Sequence, residues 1–229
     1  MTEPLTIAID GPSGSGKSSV SKAVARRLGV GYLDTGAMYR ALTWWCLQRG
    51  LDLTDEDAVA AAARELPLEI GTDPDAPTVG VGGTDIGTAI RTTEVSTAVS
   101  AVATNLEVRA TLQQLQRDLM ARIAEQTGGV VAEGRDITTV VAPDARVRVL
   151  LTASQEARLH RRSAELHGAV DAAAVDATRD QVVRRDRDDS TVSTFHEAAE
   201  GGVLVDTSDL DFDASVEAVL DVIAAETVE

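Results

Sequence analysis

Apolar positions follow two rhythms along the chain. Short apolar runs at Leu5 to Ile9, Gly31 to Leu33, Val130 to Ala132, Val147 to Leu151 and Val203 to Val205 have the length of buried strands. Longer segments repeat apolar residues every three or four positions, which predicts helices over Ser19 to Leu28, Ala37 to Arg49, Thr92 to Ala103 and Leu106 to Glu125. Further helices are predicted over Gln155 to His167, about Asp171 to Arg185, and Asp213 to Ala225. Within Leu106 to Glu125, Val108, Leu112, Leu115, Leu119 and Ile123 form one stripe that should face a core. Strands alternating with helices point to an α/β fold, a mainly parallel sheet covered on both faces.

Leu66 to Ile90 breaks this rhythm. It holds three of the six prolines and reads as short alternating runs around Gly71 to Pro77 and Gly82-Gly83. That pattern predicts a small antiparallel hairpin module inserted in the α/β frame. Asp52 to Asp57 reads as an acidic lead into a helix, and Asp206 to Asp213 as an acidic loop. Trp44 and Trp45 read as core and hairpin-facing packing rather than a base-stacking platform.

At 229 residues the chain can bury a full core, and one domain with an inserted module fits the length. The net charge of −16 makes nucleic acid and anionic membrane poor partners for the molecule as a whole. No apolar run approaches the ~20 residues needed to span a bilayer. The first residues lack a basic-then-apolar signal pattern, so a cytoplasmic location is expected. The single Cys46, within the apolar stretch Ala41 to Leu47, reads as a buried, inert thiol.

Lys17 and Lys22 are the only lysines, and Lys17 lies in a complete G-x-x-x-x-G-K-[ST] phosphate loop. The loop runs Gly11, Pro12, Ser13, Gly14, Ser15, Gly16, Lys17, Ser18, between a predicted strand and a helix opening at Ser19. Successive backbone N–H groups in such a loop curl around an anion, and the helix N-terminus adds partial positive charge. A nucleoside triphosphate is the expected ligand, with Lys17 on its β- and γ-phosphates and the Ser18 hydroxyl on Mg²⁺. The guanine-reading Asn-Lys-x-Asp motif is excluded, because the only asparagine, Asn105, precedes Leu106.

Arginines mark the rest of the candidate chemistry. Arg135 follows the strand Val130 to Ala132, Arg40 follows the turn Asp34-Thr35-Gly36, Arg91 follows the hairpin module and Arg109 begins a helix. Arg158, Arg161 and Arg162 sit near one helical face, either as a solvated surface or as a lid over phosphates. No histidine lies in a motif, and His160, His167 and His196 read as surface residues. A reaction without a general base is feasible when the acceptor is itself a phosphate, whose oxygen is already ionised.

These residues resemble the bacterial cytidylate kinase family, nucleoside monophosphate kinases that move the γ-phosphate of ATP to CMP or dCMP. The match comprises IDGPSGSGKS (Ile9 to Ser18), YLDTGAMYRA (Tyr32 to Ala41), IRTTEVSTAVSAVA (Ile90 to Ala103), EGRDITTVVAPDA (Glu133 to Ala145) and VDTSDL (Val205 to Leu210). The resemblance implies a three-layer P-loop kinase fold with a five-stranded parallel sheet. It also implies a core of residues 1–36, 128–152 and 200–229, an NMP-binding module at about 37–127 and a lid at about 153–170. Catalysis would rest on Lys17, Arg135, Arg158, Arg161 and Arg162, with ATP bound by Gly11 to Ser19 and Mg²⁺ on Ser18. The CMP phosphate would fall to Arg40 and Arg135 with Ser13 and Thr35, beside Asp34 and Tyr39. Cytosine would be read by Ser100, Arg109 and Asp136. A monomer handling small nucleotides is implied.

The chain departs from the family pattern R-D-x-x-D-S-x-R, followed by Pro-Leu: Arg185 to Phe195 reads RDRDDSTVSTF, with no arginine after Ser190. Counting back from Val205-Asp206 places the ribose-binding pair at Arg184 and Asp188; counting forward gives Arg185 and Asp189. The first needs no gap and is preferred. Thr138 replaces a usual glycine and Ala142 a phenylalanine. The alternatives are a kinase for another small acceptor on this scaffold, or a nucleotide-binding protein with weakened turnover.

Overall fold

In a computed structural model describing residues 4–167 and 172–227, the chain runs β1 (Leu5–Asp10), α1 (Lys17–Leu28), β2 (Gly31–Asp34), α2 (Thr35–Gln48) and α3 (Glu56–Glu65). Three short strands follow, β3 (Leu68–Ile70), β4 (Val79–Val81) and β5 (Thr84–Asp85). Next come α4 (Thr93–Ala103), α5 (Leu106–Thr127), β6 (Gly129–Gly134), β7 (Val147–Thr152), α6 (Gln155–His167), α7 (Ala172–Asp189), β8 (Val203–Asp206) and α8 (Phe212–Thr227). Residues 168–170 of the expected lid, and 1–3 and 228–229 of the expected core, lie outside the described residues.

The five strands read from the sequence form one parallel sheet in the order β2-β6-β1-β7-β8. Successive side chains on a strand point to opposite faces. Ile7 and Ile9 therefore pack with Val131, Val149 and Leu151 against α1 and α8, while Ala8 packs with Val130 and Ala132 against α5. Both faces are dry, which explains why the strands read as continuous apolar runs.

β3, β4 and β5 form the separate antiparallel sheet expected from Leu66 to Ile90. Its tight turn is made by Gly82 and Gly83, with φ of +57° and +78°, a region that disfavours side chains. Trp44 and Trp45 pack beneath it. The Tyr32 N–H donates to the Thr72 carbonyl at 2.9 Å, which covers the edge of β2 with the loop leaving β3.

The acidic segment Asp52 to Asp57 leads into a helix as expected, α3, because the Asp55 carboxylate accepts from Ala58 N at 3.0 Å and caps it. Two local expectations change. On α5, Leu115 and Leu119 are only partly buried, whereas Arg109, Gln116 and Met120 turn inward. Arg109 lines a cavity, and Val108, Leu112 and Ile123 of the predicted stripe are buried as expected. α7 runs through the charged stretch to Asp189, because Asp186 and Asp189 pair with arginines of neighbouring segments.

Candidate active site

The phosphate loop joins β1, in mid-sheet, to α1. Gly11 has no room for a side chain, since a Cβ would lie 2.2 Å from the Leu151 carbonyl. Gly16 adopts φ +89° at the start of α1, and no side chain caps that helix. By contrast α2, α3, α4 and α5 are capped by Asp34, Asp55, Thr92 and Asn105. The open amides of α1 are the groups that would bind phosphate. Gly11, Pro12 and Ser15 build the loop's frame, Pro12 accepting through its carbonyl from Lys17 Nζ at 3.3 Å. Ser13, Gly14, Gly16, Lys17, Ser18 and Ser19 face a cavity of about 360 Å³.

Asp34 and Glu133 stand opposite each other where β2 meets β6, on the cavity floor. Burial and the neighbouring Asp34 push the Glu133 carboxyl up, against the pull of Lys17 and of hydrogen bonds from Ser18 and Tyr32. Burial also works to raise Asp34, but Arg40, the Ala37 N–H, Arg91 and Lys17 hold it below its usual range. Arg40 donates to Asp34 Oδ2 at 3.1 Å, and the Thr35 hydroxyl donates to the Glu133 carbonyl at 2.8 Å. Thr35, Tyr39 and Arg40 all line the cavity from α2. Glu133 carried no signal in the sequence beyond its place in the EGRD motif.

At the other end Arg109 Nη2 donates to Asp136 Oδ2 at 2.6 Å, in a pair with both side chains buried. Gln113, one turn along α5, donates to the same oxygen at 2.7 Å. Asp136 Oδ1 makes no hydrogen bond among the described residues and is open to a donor. The turn that carries Asp136 is clamped from behind. Asp10 accepts from Ile137 N (3.0 Å), Thr138 N (2.8 Å) and Thr138 Oγ1 (2.7 Å). The last bond gives a role to the threonine that stands in place of a glycine. Burial pushes the Asp10 carboxyl up to about 6.

The arginines of α6 divide. Arg162 faces the cavity. Arg161 does not, because its donors go to the Ser15 carbonyl (3.1 Å), the Thr207 hydroxyl (2.9 Å) and the Thr207 and Leu210 carbonyls (2.6 and 3.2 Å). The structure places Arg161 against the outer side of the phosphate loop. Arg158 donates to the Ser13 carbonyl at 2.9 Å and pairs with Asp186. Arg135 pairs with Asp186 and Asp189 and lies 5.1 Å from the Phe195 ring centre. Burial, aided by the nearby Arg40, lowers the Arg135 guanidinium to about 10 against the opposing pull of Asp186, so it remains a cation at neutral pH.

Two further expectations shift. Ser100 is half-buried and misses the cavity wall, which α4 forms with Val99 and Ala103. Arg184 is exposed and Asp188 does not reach the cavity; Asp189 and Ser193 line it instead. The forward count from Arg185 therefore gives the acid that faces the site. Burial raises the Cys46 thiol and Cys46 is fully buried, which fits an inert role.

A phosphate loop on the central strand, a second arginine-rich wall and a cation-bearing helix, α6, define a P-loop phosphotransferase. The family model described as cytidylate kinase matches residues 7–225. The cytidylate kinase of Streptomyces avermitilis is 52% identical over 217 residues, covering 94% of this chain and 91% of its own. That of Cutibacterium acnes is 50% identical over 224 residues, covering 97% of each. The chain belongs to the cytidylate kinase family. A solved structure from Thermus thermophilus covers 100% of both chains with a TM-score of 0.50 at 18% identity, a likeness of fold.

Proposed function

We propose that the protein phosphorylates CMP and dCMP to CDP and dCDP by direct transfer of the γ-phosphoryl group of ATP. The observation that carries this reading is the single cavity joining Lys17 and Ser18 to Arg40, Arg135 and the Arg109–Asp136 pair. ATP lies along Gly11 to Ser19. The CMP phosphate sits between Arg40 and Arg135, two cations whose mutual repulsion a phosphate dianion relieves. Asp136 Oδ1 accepts from the exocyclic amine of cytosine. Uracil presents a carbonyl there and would leave the carboxylate repelled and unpaired.

A CMP phosphate oxygen attacks the γ-phosphorus, a P–O bond forms, and the bond to the β–γ bridging oxygen breaks with its electron pair leaving on ADP. No proton must be removed, so the residues need only position, neutralise and exclude water. Lys17 and Arg162 face the transferred group, and Arg158 and Arg161 fasten the lid helix to the phosphate loop. Asp189 serves the ribose, in the place first given to Asp188, and Ser193 lies beside the base-reading pair.

The Ser18 hydroxyl bonded to Glu133, with Asp34 opposite, is a hard oxygen donor set that fits Mg²⁺. Ser18 would ligate the ion, and Glu133 and Asp34 would hold its waters. When bound, the ion neutralises the β- and γ-phosphate oxygens. We assign residues 37–127 as the acceptor module and 153–170 as the lid. A cytoplasmic monomer is proposed: no described helix is long and apolar enough to cross a membrane, and large exposed apolar residues fall singly on separate elements.

A coupled assay of ADP release with CMP, dCMP, UMP and AMP tests the reading. Stimulation by CMP and dCMP well above UMP and AMP is expected. Turnover with none of them, alongside ATP binding, would instead indicate a nucleotide-binding protein.

A further inference from the structure

The stretch after α7 contains no arginine or lysine: from Asp188 to Glu229 every cation is absent. Yet this stretch reaches the cavity through Ser193. Ser193 Oγ accepts from Arg109 Nη2 at 2.9 Å, the same nitrogen that donates to Asp136. Its own proton has no acceptor among the described residues.

Ser193 is held from both sides. Upstream, the end of α7 closes with Thr191 N donating to the Asp188 carbonyl and Val192 N to the Asp189 carbonyl, both at 3.2 Å. Downstream, Phe195 is 1% exposed and lies under the Arg135 guanidinium. The Ser190 hydroxyl and the His196 ring meet at 2.8 Å across the loop, which ties its two ends together. A hydroxyl fixed this way, with one lone pair engaged by a cation and its O–H directed to no protein group, is a preset donor.

We propose that Ser193 is a binding residue for the acceptor base, donating to the C2 carbonyl oxygen of the pyrimidine. The assignment rests on the base-reading role proposed for Arg109 and Asp136. The two sites divide the work: Asp136 faces the edge where cytosine and uracil differ, and Ser193 faces the carbonyl they share. Ser193 therefore adds affinity for any pyrimidine without choosing between them, whereas Asp136 makes the choice.

The test is the steady-state kinetics of Ser193→Ala and Ser193→Thr, with CMP, dCMP and UMP as acceptors. Losing one neutral hydrogen bond should raise KM about tenfold, by the same factor for all three acceptors. KM for ATP and the midpoint of thermal unfolding should stay at wild-type values, and Ser193→Thr, which keeps the hydroxyl, should recover most of the affinity. An unchanged KM for CMP in Ser193→Ala would overturn the inference, as would a loss confined to the ribonucleotides, which would move the contact to the sugar. A parallel rise in KM for ATP would reduce Ser193 to a structural part of the loop. If the wild-type protein uses none of the three acceptors, the proposed function fails; if it uses CMP but the alanine variant behaves like it, only the role of Ser193 fails.

Discussion

The backbone N–H of Ser13, in the phosphate loop, donates to the carboxylate of Asp186 on α7 at 3.1 Å, across 173 residues of sequence. Asp186 also pairs with Arg158 and with Arg135, so one buried carboxylate ties α6 and α7 to the loop and to the arginine on the cavity wall. Removing one partner from a buried ionic network leaves the others uncompensated. Asp186→Ala should therefore lower unfolding stability by ~3 kcal/mol. Urea titration checks this, and a change below ~0.5 kcal/mol would show that solvent already satisfies the two arginines.

Lys17 reaches across the loop to the Pro12 carbonyl and lies close enough to Asp34 and Glu133 to pull both carboxyls down. Lys17→Ala should reduce kcat by about 10² or more, the scale of losing one preorganised charge at a transition state. Its melting temperature should remain near that of the wild type. Near-normal turnover would remove Lys17 from the chemistry.

Asp136 faces the cavity with Oδ1 open, while Arg109 and Gln113 hold Oδ2. In Asp136→Asn the amide can rotate to offer a donor to uracil's carbonyl. The ratio of kcat/KM for CMP over UMP should fall by about tenfold or more, with KM for ATP little changed. A constant ratio would place base discrimination elsewhere.

Asp188 and Asp189 are neighbours with different surroundings. Asp189 lines the cavity and pairs with Arg135, while Asp188 sits by the exposed Arg187 at 3.5 Å. Asp189→Asn should raise KM for CMP about tenfold or more, and Asp188→Asn should leave it within twofold of wild type, a change of ~0.4 kcal/mol. The reverse result would restore the Arg184 and Asp188 register.

Asp10 ties stability to pH. Its folded value of about 6 lies above the ordinary 3.8, so the folded state binds the proton more tightly. Its favourable contribution is complete below pH ~3.8 and is lost as pH rises through about 6. Asp10→Asn removes this titration. The stability of the variant relative to wild type should therefore grow by ~2 kcal/mol between pH 4 and pH 7. Denaturant titrations of both proteins across that range check the sign, and a constant gap would contradict it.

Much of this architecture is legible in the order of residues. Continuous apolar runs mark the strands because both sheet faces are covered, and the phosphate loop is legible because its function needs glycines at fixed spacing. The hairpin module is visible through Gly82-Gly83 and the prolines of Leu66 to Ile90. α3 was harder to read, since Val59 is the one large apolar residue among its ten and its cap, Asp55, lies inside a general acidic run. Glu133 and Gln113 were silent because their importance lies in what they meet across the fold, Ser18 and Asp136.

Local spacing was enough to specify the parallel sheet, most of the helices, the phosphate loop and the arginine-rich character of the site. Long-range packing selects which of two adjacent residues faces the cavity. Consecutive residues on a helix point ~100° apart. Arg162 thus faces the cavity while Arg161 binds loop carbonyls, and Asp189 faces it while Asp188 turns away. The same holds for Ser193, whose position is set by the burial of Phe195 beneath Arg135 and by the closing turn of α7. A one-residue shift in register leaves local composition almost unchanged but exchanges the side chain that meets the ligand, and only long-range packing fixes that register.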